Sequence, residues 1–261
     1  MCAAIVERTT RIVEVLRPLD DDALLAPSVL PGWSRLTIAC HLRYGADAFC
    51  RMTHAALAGE PAAYYPEGRD SQRARTLRPD SDESPSNVVS SLARHSEVLA
   101  QTWESLDGDA WKLETTEPED NQDLGPRQVS QLPLMRLTEV EVHGSDLGVG
   151  LDRWSEVFVR LALPFRLEWL NTRRANHRSV DERVEGSWLL VASDGPTYRV
   201  SVTGAVVESV PSAPTAPARA VIEGTRRDLL ALLLGRPANT QPRVSGDIAF
   251  GHAFTRAFPG P

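Results

Sequence analysis

Residues 136–147 read Arg136, Leu137, Thr138, Glu139, Val140, Glu141, Val142, His143, Gly144, Ser145, Asp146 and Leu147. They lie in a stretch that reads as one helix from about residue 127 to 147, with Pro133 near its first turns and Gly148 and Gly150 beyond its end. Glu139 and His143 are four positions apart, so a helix projects both from one face. Val140 and Val142 between them suit a helix packed on several sides. A carboxylate and an imidazole at this spacing form half of a site for a divalent cation. Asp146, three residues on, sits on a nearby face and is placed to orient His143 or a substrate from behind. Glu141 points elsewhere and is assigned to solvent or to a salt bridge.

Outward from this helix, the chain divides in two. Before it, residues 6–16 carry apolar side chains at helical spacing and stop at Pro18. Pro31, Gly32, Trp33 and Ser34 form a breaker followed by an N-cap, predicting a helix over 35–57 that stops at Gly59 and Pro61. Residues 62–85 are polar and proline-punctuated and read as a long loop, a kind of segment that often lines a site. Ser86 is the expected cap of a helix over 87–106, an acidic irregular stretch follows over 107–126, and a fifth helix runs from Trp154 and Ser155 to about Arg174. After Asn176 the pattern changes to strands at 188–192, 198–204 and 218–224, a short helix over 226–234 capped by Thr225, a strand at 244–247 and a last helix over 248–258. The expected class is α+β: a helical bundle over 1–176 and a smaller α/β domain over 177–261.

His41 lies in the predicted second helix, within Leu36, Thr37, Ile38, Ala39, Cys40, His41 and Leu42. Bundles build metal sites from side chains on facing helices. One ligand from this helix and two from the later one make a three-ligand site with an open position, the pattern of a catalytic zinc. Cys40 is about 100° away around the helix and is assigned to the core. Spacing alone leaves a second reading open, in which His41 is a satisfied core histidine and the Glu139–His143 pair a coincidence. His54 and His95 lack an acidic or histidine partner at matching spacing, His177 falls in an arginine-rich junction, and His252 is on the last predicted helix.

A net charge of −7 argues against a general nucleic-acid binder. No run of about 18 apolar residues is present, so no membrane span is expected. The start of the chain does not read as a secretory signal. Three cysteines without paired spacing, Cys2, Cys40 and Cys50, fit a reducing, cytoplasmic compartment. There is no glycine-rich phosphate loop in a strand-to-helix context and no nucleophile elbow.

Pro31 to Ser34 followed by His41, and Arg136, Glu139, His143 and Asp146 at their spacing, resemble the mycothiol-dependent maleylpyruvate isomerase family, a branch of the DinB-like superfamily of metal-binding four-helix bundles. The likeness continues through Ile222 to Arg236, similar to the family's smaller C-terminal domain, itself similar to sterol carrier proteins. The resemblance implies a zinc ion, or another divalent metal, on His41, Glu139 and His143, with mycothiol as co-substrate. It implies that Asp146 orients His143 or the thiol, and that Arg236 reaches toward the substrate pocket and holds a substrate carboxylate. The implied chemistry is attack of a thiolate on a small electrophile, with release giving an isomerase and retention of the adduct giving an S-transferase. Gly144 and the 62–85 loop depart from the family pattern where substrate choice is set. The chain is expected to be a monomer or homodimer. Two other classes stay in view: a hydrolase using zinc-bound water, and a non-catalytic protein that encloses a small ligand.

Overall fold

The computed structural model describes residues 1–171 and 184–260. The expected boundary at 176/177, His177 and the end of the fifth helix at Arg174 lie outside the described residues. The chain divides into two compact units, Met1–Phe158 and Val159–Pro261. The α+β class, helices first and a sheet after, is borne out.

In the first unit, α1 (Cys2–Leu16), α3 (Arg35–Ala58), α5 (Pro85–Glu104) and α6 (Leu132–Asp146) form a four-helix bundle, in which α1 and α3 each pack on both α5 and α6. α1 is amphipathic, burying Ile5, Ile12, Val13 and Leu16. Each such side chain contributes roughly 1.5–3 kcal/mol on leaving water. α3 is buried on most sides, and its small residues Ala39, Ala46, Ala48 and Ala56 let neighbouring helices approach. Its ends follow the sequence signals: the Ser34 hydroxyl accepts from Thr37 N–H (3.0 Å), and Gly59 closes it with φ 70°.

Several sequence expectations need correction. A short α2 (Asp21–Leu25) precedes α3. The loop over 62–85 contains α4 (Arg69–Thr76), which buries none of its residues and so has no apolar stripe for a sequence reading to detect. The cap of α5 is Ser84, not Ser86. Pro85 takes the first helical position, where its missing N–H costs nothing, and Ser84 accepts from Asn87 N–H. α6 starts at Leu132 rather than near Arg127. Arg127–Gln128 instead forms β2, paired antiparallel with β1 (Glu114–Thr115), and a 3-10 turn over Val129–Gln131 leads into the helix. α7 (Glu156–Glu168) spans the division between the units.

The second unit holds a five-stranded sheet in the order β5-β4-β3-β6-β7. β3 (Gly186–Ala192), β4 (Thr197–Thr203) and β5 (Val206–Ser212) form an antiparallel meander. β6 (Ala220–Gly224) runs parallel to β3, and β7 (Arg243–Gly246) is antiparallel to β6. β5 is an edge strand, exposed along most of its length and carrying Pro211, which the edge tolerates. That is why its sequence does not read as a strand. α8 (Arg226–Leu234) connects β6 to β7. The expected last helix is broken at Ala253 into α9 (Ile248–His252) and α10 (Phe254–Ala257). Trp188 anchors this core, stacked on Phe250 at 4.2 Å and edge-on to Phe254 and Phe258. Its indole N–H donates to Phe250 C=O (3.0 Å).

Candidate metal centre

The N-terminal end of α3 runs antiparallel to the C-terminal end of α6. This register sets Arg35 beside Leu147, His41 beside Glu139, and Gly45 beside Arg136. It brings His41, separated by 98 positions from Glu139, to a contact of 2.6 Å between its Nε2 and Glu139 Oε2. His143 Nε2 approaches the same oxygen at 3.5 Å. One ligand atom from each of His41, Glu139 and His143 lies within 4.8 Å of the others. On the far side of the second ring, His143 Nδ1 meets Asp146 Oδ2 at 3.0 Å. A carboxylate on one ring nitrogen fixes the tautomer that leaves the other nitrogen able to ligate.

The donor set fits a cation of the zinc type: two imidazole nitrogens and one carboxylate oxygen, converging from two rigid helices. Burial holds the His41 pKa below the usual histidine value, while the Glu139 carboxylate and the hydrogen bond to it pull the other way. The ring is therefore neutral at physiological pH, the form that binds metal. Its Nδ1 is buried with no hydrogen-bond partner among the described residues.

Two residues that the sequence reading used only as part of a motif stand beside this cluster. Trp33 stacks on His143 (ring centroids 5.7 Å, interplanar 9°) and meets His41 edge-on at 5.4 Å. The segment carrying it is clipped to the end of α6: Val29 N–H donates to Asp146 C=O (2.8 Å), and Arg35 Nε donates to Leu147 C=O (3.2 Å). Gly32, at φ 78°, supplies the turn before the ring. Trp33 was legible only as the residue after a Pro-Gly breaker; nothing in its spacing points at His143. Arg136 is 0% exposed, donating to Leu42 C=O (2.8 Å) and Ser96 Oγ (3.2 Å). Burial pushes its pKa down to about 10, against the pull of Tyr64 and Glu139, so it stays charged near Glu139. Tyr64 is buried too, its pKa raised by burial and then by the Glu139 charge. At Gly45 an added Cβ would lie 3.0 Å from the Tyr64 hydroxyl and 3.3 Å from Arg136 Nη1, so glycine lets both approach α3.

Glu141 takes the salt-bridge alternative of its assignment: it is 1% exposed and pairs with Arg8 Nε at 3.2 Å. Gly144 faces that same arginine, since a Cβ there would lie 2.9 Å from Arg8 Nε. Its smallness leaves room for the Arg8 guanidinium of this buried ion pair. Arg236 belongs to the second unit. It follows the Gly235 cap of α8, and its guanidinium donates to Leu234 C=O (3.1 Å). Cys40 is fully buried, as assigned.

The profile of the family described as mycothiol maleylpyruvate isomerase N-terminal domain matches residues 5–148, which include all of the bundle but the first three residues of α1, and all three clustered side chains. The chain belongs to this family of enzymes. A crystal structure of the mycothiol-dependent maleylpyruvate isomerase is similar with a TM-score of 0.67 at 21% identity, covering 94% of this chain and 91% of the other. A histidine-to-alanine mutant of a mycothiol-dependent maleylpyruvate isomerase gives 0.66 at 20% over the same shares. At such identity the likeness shows the fold, and it extends through both units. No curated protein matches by sequence. Among the described residues no helix is long and apolar enough to cross a membrane.

Proposed function

We propose that this member of the maleylpyruvate isomerase family is a metal- and thiol-dependent isomerase or S-transferase for a small electrophile, with mycothiol as the thiol and the cytoplasm as its setting. The observation that supports it most is the convergence of His41, Glu139 and His143 on one point, with Asp146 behind His143. A divalent cation held by those three supplies a Lewis acid that keeps a thiol in its thiolate form at neutral pH. The remaining work falls to the chain itself. Glu139 contributes a negative charge that favours the cation. Asp146 holds the His143 ring in one tautomer and orientation. Trp33 lies against both imidazoles and limits how water and substrate approach them. In the isomerase outcome the thiol adds to a conjugated cis double bond, the resulting single bond rotates, and the thiol leaves. In the transferase outcome the carbon–sulfur bond is kept. Arg236 is proposed, on the family resemblance, to hold a substrate carboxylate through a charge-assisted pair.

The test is His41→Ala in the full chain, assayed for metal content and for turnover with and without added thiol. Loss of both metal and thiol-dependent turnover is the expected result. Full turnover in the variant would remove the metal assignment. Turnover that is indifferent to thiol in the unaltered protein would favour a hydrolase using activated water.

A further inference from the structure

We infer that Arg73, on α4, is a specificity-determining residue that binds a carboxylate of the substrate beside the metal centre. The inference rests on the functional reading above and goes beyond it, because it assigns anion recognition to the first unit, on the helix that the sequence reading left as loop.

The guanidinium carbon of Arg73 lies 6.0 Å from the centre of the Trp33 ring, and Trp33 is the residue stacked on His143 and set edge-on to His41. One aromatic ring is therefore the common neighbour of this cation and the two imidazoles. The chain on both sides of Trp33 is fixed by Gly32, by the clip from Val29 to Asp146 and by the Ser34 cap, so the platform under Arg73 is rigid. A guanidinium over an indole keeps its hydrogen-bonding edge available while its face is occupied.

The other arginines of the same helix have counter-ions. Arg69 is paired with Asp123 at 2.8 Å, and Arg75 is paired with Glu67. Arg73 has no ion pair among the described residues, although Asp70 stands one turn before it. Of the three, it is the one that lies over the ring packed on His143 and has no counter-ion among the described residues. Arg69 in turn sits 5.7 Å from the Tyr65 ring, and Asn121 donates to Tyr65 C=O at 2.7 Å. These contacts tie the start of α4 to the body of the bundle and set where Arg73 emerges. A planar, permanently charged fork at the edge of a thiolate-generating site suits a small unsaturated acid better than a neutral electrophile.

The experiment uses the full-length, metal-loaded protein and maleate, a small cis-unsaturated dicarboxylate, with dimethyl maleate as its neutral counterpart. Binding of each is measured by calorimetry for the unaltered protein, Arg73→Ala and Arg73→Lys, with metal content determined on every sample. The inference expects maleate affinity to fall about fivefold in the alanine variant and to recover partly with lysine. Dimethyl maleate affinity and metal content stay unchanged. Where turnover is measured with an anionic electrophile, KM rises while kcat is largely kept. Equal maleate affinity in Arg73→Ala and in the unaltered protein would overturn the inference, and so would absence of maleate binding to the unaltered protein. Maleate binding that depends on Arg73 in a protein without thiol-dependent turnover would support the inference and remove the functional reading instead.

Discussion

His143 is held from three directions: Glu139 at its Nε2, Asp146 at its Nδ1, and Trp33 across its face. Of these contacts, the Asp146 carboxylate has the clearest separable role, because it touches the ring but is not one of the three clustered ligand atoms. Asp146→Asn keeps the size of the side chain and removes the charge. It is expected to weaken metal affinity by about 10–100-fold with the fold retained, measured by competition with a chromophoric chelator. An unchanged affinity would mean that Asp146 serves only to end the helix. Glu141, two positions from Glu139, belongs to a different economy. Its carboxylate and the Arg8 guanidinium are both buried, and Arg8 also donates to Leu151 C=O (2.6 Å) and Glu141 C=O (3.3 Å). Glu141→Ala leaves a buried cation without its partner and should cost about 3–5 kcal/mol in urea unfolding. Metal stoichiometry should not change. A loss under about 1 kcal/mol would show that the carbonyls alone satisfy Arg8.

At the scale of elements, what was legible depended on whether a segment carries an apolar stripe or a defined cap. α3 has a defined cap and both helices carry buried apolar residues, and their antiparallel packing is held by Arg35 donating to Leu147 C=O and Arg136 donating to Leu42 C=O. The pairing of His41 with Glu139 was therefore approachable from spacing, although only the packing register could bring them to one point. α4 carries no buried residue and β5 alternates weakly at a sheet edge, so neither left a hydrophobic period to read. Trp33 and Arg73 were missed as site residues for a related reason: their placement comes from a loop clip and a surface helix, both tertiary. In the second unit, Asp228 in the first turn of α8 gives a test of local electrostatics. Burial raises its pKa, but the Thr225 hydroxyl (2.6 Å) and the amides of Asn239 (2.9 Å) and Thr240 (3.1 Å) outweigh burial and lower it. A carboxylate whose pKa is depressed on folding adds stability that is complete above its unfolded value, near 4, and is lost as pH falls through the folded value. Acid titration of the second unit's unfolding should show this loss below about pH 4. Asp228→Asn should flatten it, and an identical acid profile in that variant would contradict the assignment.

Across the whole molecule, similarity to a maleylpyruvate isomerase structure runs over 94% of the chain at 21% identity, so the architecture persists while most side chains differ. The net charge of −7 disfavours anionic substrates at long range, but beyond about 8 Å such repulsion is screened at physiological salt. The overall balance is therefore compatible with the role proposed for Arg73 beside Trp33. The central claim, that two imidazoles and a carboxylate share one cation and leave it open to sulfur, is reached most directly by X-ray absorption at the metal edge of the purified full chain. Without thiol, only nitrogen and oxygen neighbours are expected, with the signature of two imidazoles. On adding mycothiol a sulfur neighbour is expected at about 2.3 Å for zinc. A first shell that lacks imidazole, or one that thiol leaves unaltered, would contradict it.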